Sequence, residues 1–126
     1  KYNIIEYYAR RARGLNLKMM KKSIENILHH SEVSEKAIEK YLAEKVKAIG
    51  GVCLKYSNPN MDGYPDRLVV LPGGLICWVE LKSKNKKPTR LQVLRHKQLT
   101  GMGHDVHVID SKKEVDYLIS IWRAGL

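Results

Sequence analysis

Two short apolar runs separated by Pro72, Gly73 and Gly74 constrain this chain more than any other feature. Arg67 to Leu71 and Leu75 to Lys82 are rich in β-branched and aromatic side chains, and the three residues between them suit a tight reversal. They predict two antiparallel strands in a hairpin. Strand side chains alternate between faces, so Ile76, Trp78, Glu80 and Lys82 share one face while Leu81 points into the opposite layer. A strand face that turns from apolar to charged does not suit a core interior. It suits a sheet that runs out into a cleft.

The other elements follow from periodicity and caps. Ser34 can cap a helix running to about Ile49, with Ile38, Tyr41, Leu42, Val46 and Ile49 as its buried stripe and Gly50-Gly51 as its end. Val52 to Tyr56 reads as a strand, and Ser57 to Pro65 as a loop rich in Asn, Pro and Gly. Ser83 to Pro88 is a basic loop. Thr89 and Gln92 form a capping box at the start of a helix whose Leu91, Leu94, Leu99 and Met102 are expected to face the core. Val106 to Ile109 reads as a fourth strand. Ser111 and Glu114 are expected to form another capping box, opening a last helix with an apolar stripe of Val115, Leu118, Ile119 and Trp122.

Before Ser34 the chain looks helical, with apolar spacing at Ile4, Ile5, Tyr8 and Ala12, and again at Leu17, Met20, Ile24, Ile27 and Leu28. The expected organisation is a helical N-terminal extension over 1–33 and one α/β domain with a mixed sheet over 34–126.

With 126 residues, of which 44% are hydrophobic, the chain can bury one core without disulfides. Its two cysteines, Cys53 and Cys77, fall in apolar strand runs and read as small core residues, which fits a reducing, cytoplasmic setting. No apolar run approaches the roughly 20 residues that span a bilayer. The net charge of +10, from 23 Lys and Arg against 13 Asp and Glu, suits a polyanionic partner, of which nucleic acid is the commonest. The charge is spread along the chain rather than gathered beside one apolar helix face, which disfavours a membrane surface.

Asp66 stands where the loop enters the second strand, beside Glu80 and Lys82 on the third. Two carboxylates on neighbouring strands can share a hard divalent cation such as Mg²⁺, and the backbone carbonyl of Leu81 can add a further oxygen. An ion held there polarises a phosphate and acidifies water, and the Lys82 ammonium can orient that water or stabilise developing charge. The same three residue types also form ordinary surface salt bridges.

The run Gly63-Tyr64-Pro65-Asp66-Arg67, then Leu71-Pro72-Gly73-Gly74, then Val79-Glu80-Leu81-Lys82, then Lys87-Pro88-Thr89-Arg90-Leu91-Gln92 resembles the VRR-NUC (virus-type replication-repair nuclease) family of the PD-(D/E)XK superfamily. The resemblance runs from about Ser34 to Ile119. It implies a restriction-endonuclease-like core of order αβββαβα and a Mg²⁺- or Mn²⁺-dependent DNA endonuclease. Asp66 and Glu80 match the family's metal ligands and Lys82 its catalytic lysine. Glu39 matches an acidic position near the metal, and Gln92 a position beside the site. Small members of the family look like homodimers that cut four-way junctions, and larger relatives prefer flaps.

Lys84, Lys86, Lys87 and Arg90 follow the motif closely and suit phosphate contacts. Glu39 and Glu35, one turn apart, each read as a solvated helix residue or as an acid near the metal. Gln92 is equally explained as half of a capping box. His29, His30, His96, His104 and His107 lack zinc spacing, and His96 reads as a surface histidine.

Overall fold

The Pro72–Gly74 reversal joins antiparallel strands as expected, with Gly73 and Gly74 at φ of 82° and 80°, a region open to glycine and strained for other residues. The computed structural model describes residues 21–26 and 34–126. It divides the chain into two units, Lys1–Glu32 and Val33–Leu126. In the first, residues 21–26 are helical. The expected apolar stripes over Ile4 to Met20 and at Ile27 and Leu28 lie outside the described residues.

The second unit runs α1 (Glu35–Ala48), β1 (Val52–Lys55), β2 (Arg67–Leu71), β3 (Leu75–Leu81), α2 (Arg90–Gly101), β4 (Asp105–Ile109) and α3 (Lys112–Ala124). The sheet order is β1-β2-β3-β4, antiparallel except for the parallel pair β3 and β4. Two antiparallel strands need only a tight turn. The parallel pair needs a crossover, and α2 supplies it. This is the mixed α/β fold expected, in the order αβββαβα.

Each helix begins where its cap chemistry places it. The Ser34 side chain accepts from the Ala37 N–H at 3.1 Å. Thr89 and Gln92 satisfy one another's backbone N–H groups at 2.8 and 3.2 Å, which is the capping box. Ser111 accepts from the Glu114 N–H, while the Glu114 carboxylate reaches one residue further back, to the Asp110 N–H at 3.0 Å.

The core lies on one face of the sheet. Ile38, Leu42 and Val46 of α1 and Val115, Leu118, Ile119 and Trp122 of α3 pack on Val69, Leu71, Cys77, Val79, Leu81 and Ile109. Those on β2 and β3 occupy odd positions, so alternation turns Asp66, Leu68 and Val70, and Ile76, Trp78 and Glu80, to the other face.

On that other face α2 departs from expectation. Leu99 is buried, but Leu91, Leu94 and Met102 are exposed. Helical spacing puts Gln92, Arg95, His96 and Leu99 on one side, and these are the residues withdrawn from solvent. The inward face of α2 is polar because it looks toward the carboxylate end of the sheet. A reading that assumes apolar side chains point inward therefore rotates this helix by about one residue.

The loop before β2 is fastened to α2. Tyr64 donates its hydroxyl to Gln98 at 2.7 Å, the Arg95 guanidinium donates to the Asp62 carbonyl at 3.0 Å, and the same guanidinium lies 4.9 Å over the Tyr64 ring. Gly63 makes this approach possible. Its φ is 91°, and a Cβ there would come within 2.7 Å of Leu91 Cγ. Gly63→Ala should therefore destabilise the fold by about 1–3 kcal/mol through strain and overlap, read as a lower midpoint in urea. An unchanged midpoint would show that the loop does not depend on this contact.

Candidate active site

Asp66, Glu80 and Lys82 converge where β2 and β3 leave the sheet. Arg67 pairs with Val79, and continuing that register sets Asp66 across from Glu80 on the face away from the core. The Asp66 carboxylate accepts the Leu81 N–H at 3.2 Å, and its backbone carbonyl accepts the Tyr56 N–H at 2.8 Å. The side chain is thus held between β1 and β3 before any ligand arrives. A strand residue sends its N–H and C=O to the same side, so the Leu81 carbonyl also leaves toward β2. The residue across from it is Pro65, which has no N–H to donate. An oxygen at this place suits the ligand role expected of Leu81.

Glu80 is the unusual group. Its side chain is about 4% exposed, and among the described residues its Oε1 has no hydrogen-bond partner. Burial raises its pKa from the ordinary 4.5 to about 7, the Asp66 and Glu35 carboxylates push in the same direction, and Lys82 opposes them. A carboxylate enclosed and crowded by like charge is under-satisfied, and a divalent cation is a partner that relieves both conditions. The donor set of two carboxylates and a carbonyl oxygen is the hard type that Mg²⁺ and Mn²⁺ accept. The residues present therefore fit such an ion, although among the described residues no group of three or more His, Cys, Asp and Glu side chains gathers to hold one.

The other sequence candidates take distinct places. Glu39 forms an ion pair with Arg67, a buried residue on the core face of β2. The same guanidinium donates to the Asp66 carbonyl at 2.8 Å. Glu39 thus connects to the site through Arg67, whereas Glu35 acts on Glu80 through its field. Gln92 has its carbonyl oxygen engaged by the Thr89 N–H in the capping box. Lys84, Lys86, Lys87 and Arg90 are exposed in and just after the loop that follows β3. That loop is pinned by Asn85, which has a left-handed φ of 65° and donates its N–H to Asp110 at 3.1 Å.

His96 overturns its reading as a surface histidine. It is largely enclosed, and its Nε2 lies 3.5 Å from Glu80 Oε1. Burial first, and the charge of Lys82 second, hold its pKa below the usual histidine value. Two signals in the sequence point to the places of His96 and Arg67. His96 lies one helical turn beyond Gln92, on the same face. Arg67 stands at an odd position with Val69 and Leu71, so its guanidinium has to enter the core side and find an acid there.

Comparison with known proteins decides the family. The chain is 45% identical over 80 residues to the protein named "Putative nuclease p44" of Acyrthosiphon pisum secondary endosymbiont phage 1, across 64% of this chain and 86% of that one. A solved VRR_NUC domain superposes with a TM-score of 0.67 at 39% identity, over 70% of this chain and 96% of the domain. The chain belongs to the VRR-NUC family. No family model matches the chain. As a VRR-NUC protein it shares the family fold, and its Asp66, Glu80 and Lys82 stand at the sheet end described above.

The raised pKa of Glu80 has a thermodynamic consequence. An acid whose folded pKa exceeds its unfolded value binds its proton more tightly in the folded state, so stability falls as pH rises from about 4.5 to about 7 and the whole penalty is present above that. Glu80→Gln removes the penalty. In excess chelator this variant should melt several degrees above wild type at pH 8, and the gain should vanish near pH 4.5. Equal melting temperatures at pH 8 would contradict the account of Glu80 burial.

Proposed function

We propose that this protein is a divalent-cation-dependent endonuclease that hydrolyses phosphodiester bonds in DNA and resolves four-way junctions as a homodimer. The observation that carries the reading is the enclosed, under-satisfied Glu80 carboxylate beside Asp66 and Lys82 at the end of the sheet. Asp66, Glu80 and the Leu81 carbonyl are the groups that would hold Mg²⁺ or Mn²⁺. When bound, the ion supplies Lewis-acid polarisation of the phosphate and a more acidic attacking water. Lys82 follows Glu80 on the same strand face, where its ammonium meets the charge that develops on the phosphate oxygens. Lys84, Lys86, Lys87 and Arg90 contact backbone phosphates on either side of the scissile bond, positioning the strand without reading its sequence. The surplus of ten positive charges draws DNA in and makes binding steeply salt-dependent.

Junction resolution requires two cuts placed symmetrically. Each chain has one set of Asp66, Glu80 and Lys82, so resolution in one encounter needs two chains about a two-fold axis. Exposed apolar residues Val52, Leu54 and Ile76 on the sheet face away from the core support an association surface within the described residues. The free thiols of Cys53 and Cys77 support a cytoplasmic site of action in a bacterial or phage-infected cell.

The test is a cleavage panel of duplex, flap, splayed-arm and four-way junction DNA. Mg²⁺ or Mn²⁺ should support cutting, and Ca²⁺ should bind without turnover. Lys82→Ala should lower the rate at least 100-fold while leaving DNA affinity and melting temperature nearly unchanged. Light scattering should give a dimer mass, with paired nicks at symmetric positions of the junction. Full activity in excess chelator, or near wild-type cutting by Lys82→Ala, would overturn the nuclease mechanism. A monomer that nicks only flaps would overturn the resolvase part alone.

A further inference from the structure

Glu80 Oε1 and His96 Nε2 are the buried side-chain polar atoms that lack a hydrogen-bond partner among the described residues. They face each other at 3.5 Å, slightly beyond hydrogen-bond distance. Leaving even one buried polar atom unpaired is costly, so two that point at one another require an explanation.

The two atoms come from elements that are fixed independently. Glu80 lies in β3 between two paired neighbours, β2 and β4. His96 sits in the middle of α2, whose start is set by the Thr89–Gln92 capping box and whose flank is fastened to the preceding loop by the Tyr64–Gln98 and Arg95–Asp62 contacts. Neither side chain is a flexible surface group that happens to approach the other.

We infer that His96 is a positioning residue for Glu80: its Nε2–H holds Oε1 and so leaves the second carboxylate oxygen to face Asp66 and the cation. The inference rests on the cation-dependent reading above. A neutral imidazole carries one N–H, and a carboxylate in front of Nε2 selects the tautomer with the proton there. A carboxylate gripped at one oxygen presents the other in a defined direction. This is the work outer partners do for ligands in metal sites, where their loss typically weakens binding 10–100-fold.

The experiment is calorimetric titration of Mn²⁺ into the purified full chain without DNA, with melting temperatures in chelator as the control for folding. His96→Leu fills similar space without a donor, and His96→Gln places an amide N–H₂ near the position of Nε2. The Leu variant should bind Mn²⁺ about tenfold more weakly or worse, and the Gln variant should recover most of that loss. Should the Leu variant fail to fold, His96→Asn takes its place, because its shorter amide cannot reach Oε1, and it should bind more weakly than the Gln variant. Wild-type affinity in His96→Leu overturns the inference, as does equal weakening in the donor-bearing and donor-lacking variants. If wild type binds Mn²⁺ and Glu80→Gln does not, while His96→Leu binds normally, the positioning role fails and the metal reading stands. If wild type binds no Mn²⁺, both are overturned.

Discussion

Enclosing the Glu80 carboxylate on the face of β3 opposite the core is the constraint on which the rest of the site depends. A buried anion is unfavourable unless charge or hydrogen bonds compensate it. Here the neighbours are arranged to compensate it incompletely. Asp66 and Glu35 add negative field, Lys82 offsets part of it, and the His96 Nε2 that faces Oε1 stands 3.5 Å away. A fold of ordinary marginal stability can carry such a group only if other contacts outweigh it. The layer of α1 and α3 against the odd-numbered residues of β2 and β3 supplies them. Stability is thus concentrated on one side of the sheet and under-satisfied charge on the other.

A frame of polar contacts keeps that charge in place. Arg67 spans the two layers: it pairs with Glu39 on α1 and donates to the carbonyl of Asp66. The loop over Asp62 to Pro65 is clamped between α2 and the sheet, with Pro65 buried and the Tyr56 ring set edge-on to Tyr64 and Trp78. Leu81 contributes its backbone twice, once as the donor to Asp66 and once as an oxygen left across from a proline. Side chains held by neighbouring contacts of this kind are already ordered before any ligand binds.

Much of this was legible in the sequence because strand alternation and cap chemistry are local. The hairpin about Pro72–Gly74, the caps at Ser34, Thr89 and Ser111, and the stripe of α3 all follow from short-range rules, and all are present in the structure. The grouping of Asp66 with Glu80 followed from the hairpin register. What local rules missed was the orientation of α2. Its apolar residues Leu91, Leu94 and Met102 suggested a core-facing stripe, yet the helix turns Gln92 and His96 inward because its neighbour is a charged site rather than a core. The partners of Arg67 and His96 were out of reach for the same reason. Both are long-range pairs between elements whose relative rotation no local periodicity encodes.

The basic loop after β3 connects this frame to the surface. Its backbone is tied down through Asn85 and Asp110 while Lys84, Lys86 and Lys87 remain exposed, so positive charge stands close to Lys82 without burying it. In the function proposed above, the Asp66 and Glu80 carboxylates hold a divalent cation at the end of β2 and β3. Anomalous diffraction from a crystal soaked in Mn²⁺ tests it most directly. The account predicts a manganese peak between these two carboxylates, within coordination distance of the Leu81 carbonyl, and no such peak in Asp66→Asn. A crystal that shows manganese elsewhere, or none at this position at saturating concentration, would contradict it.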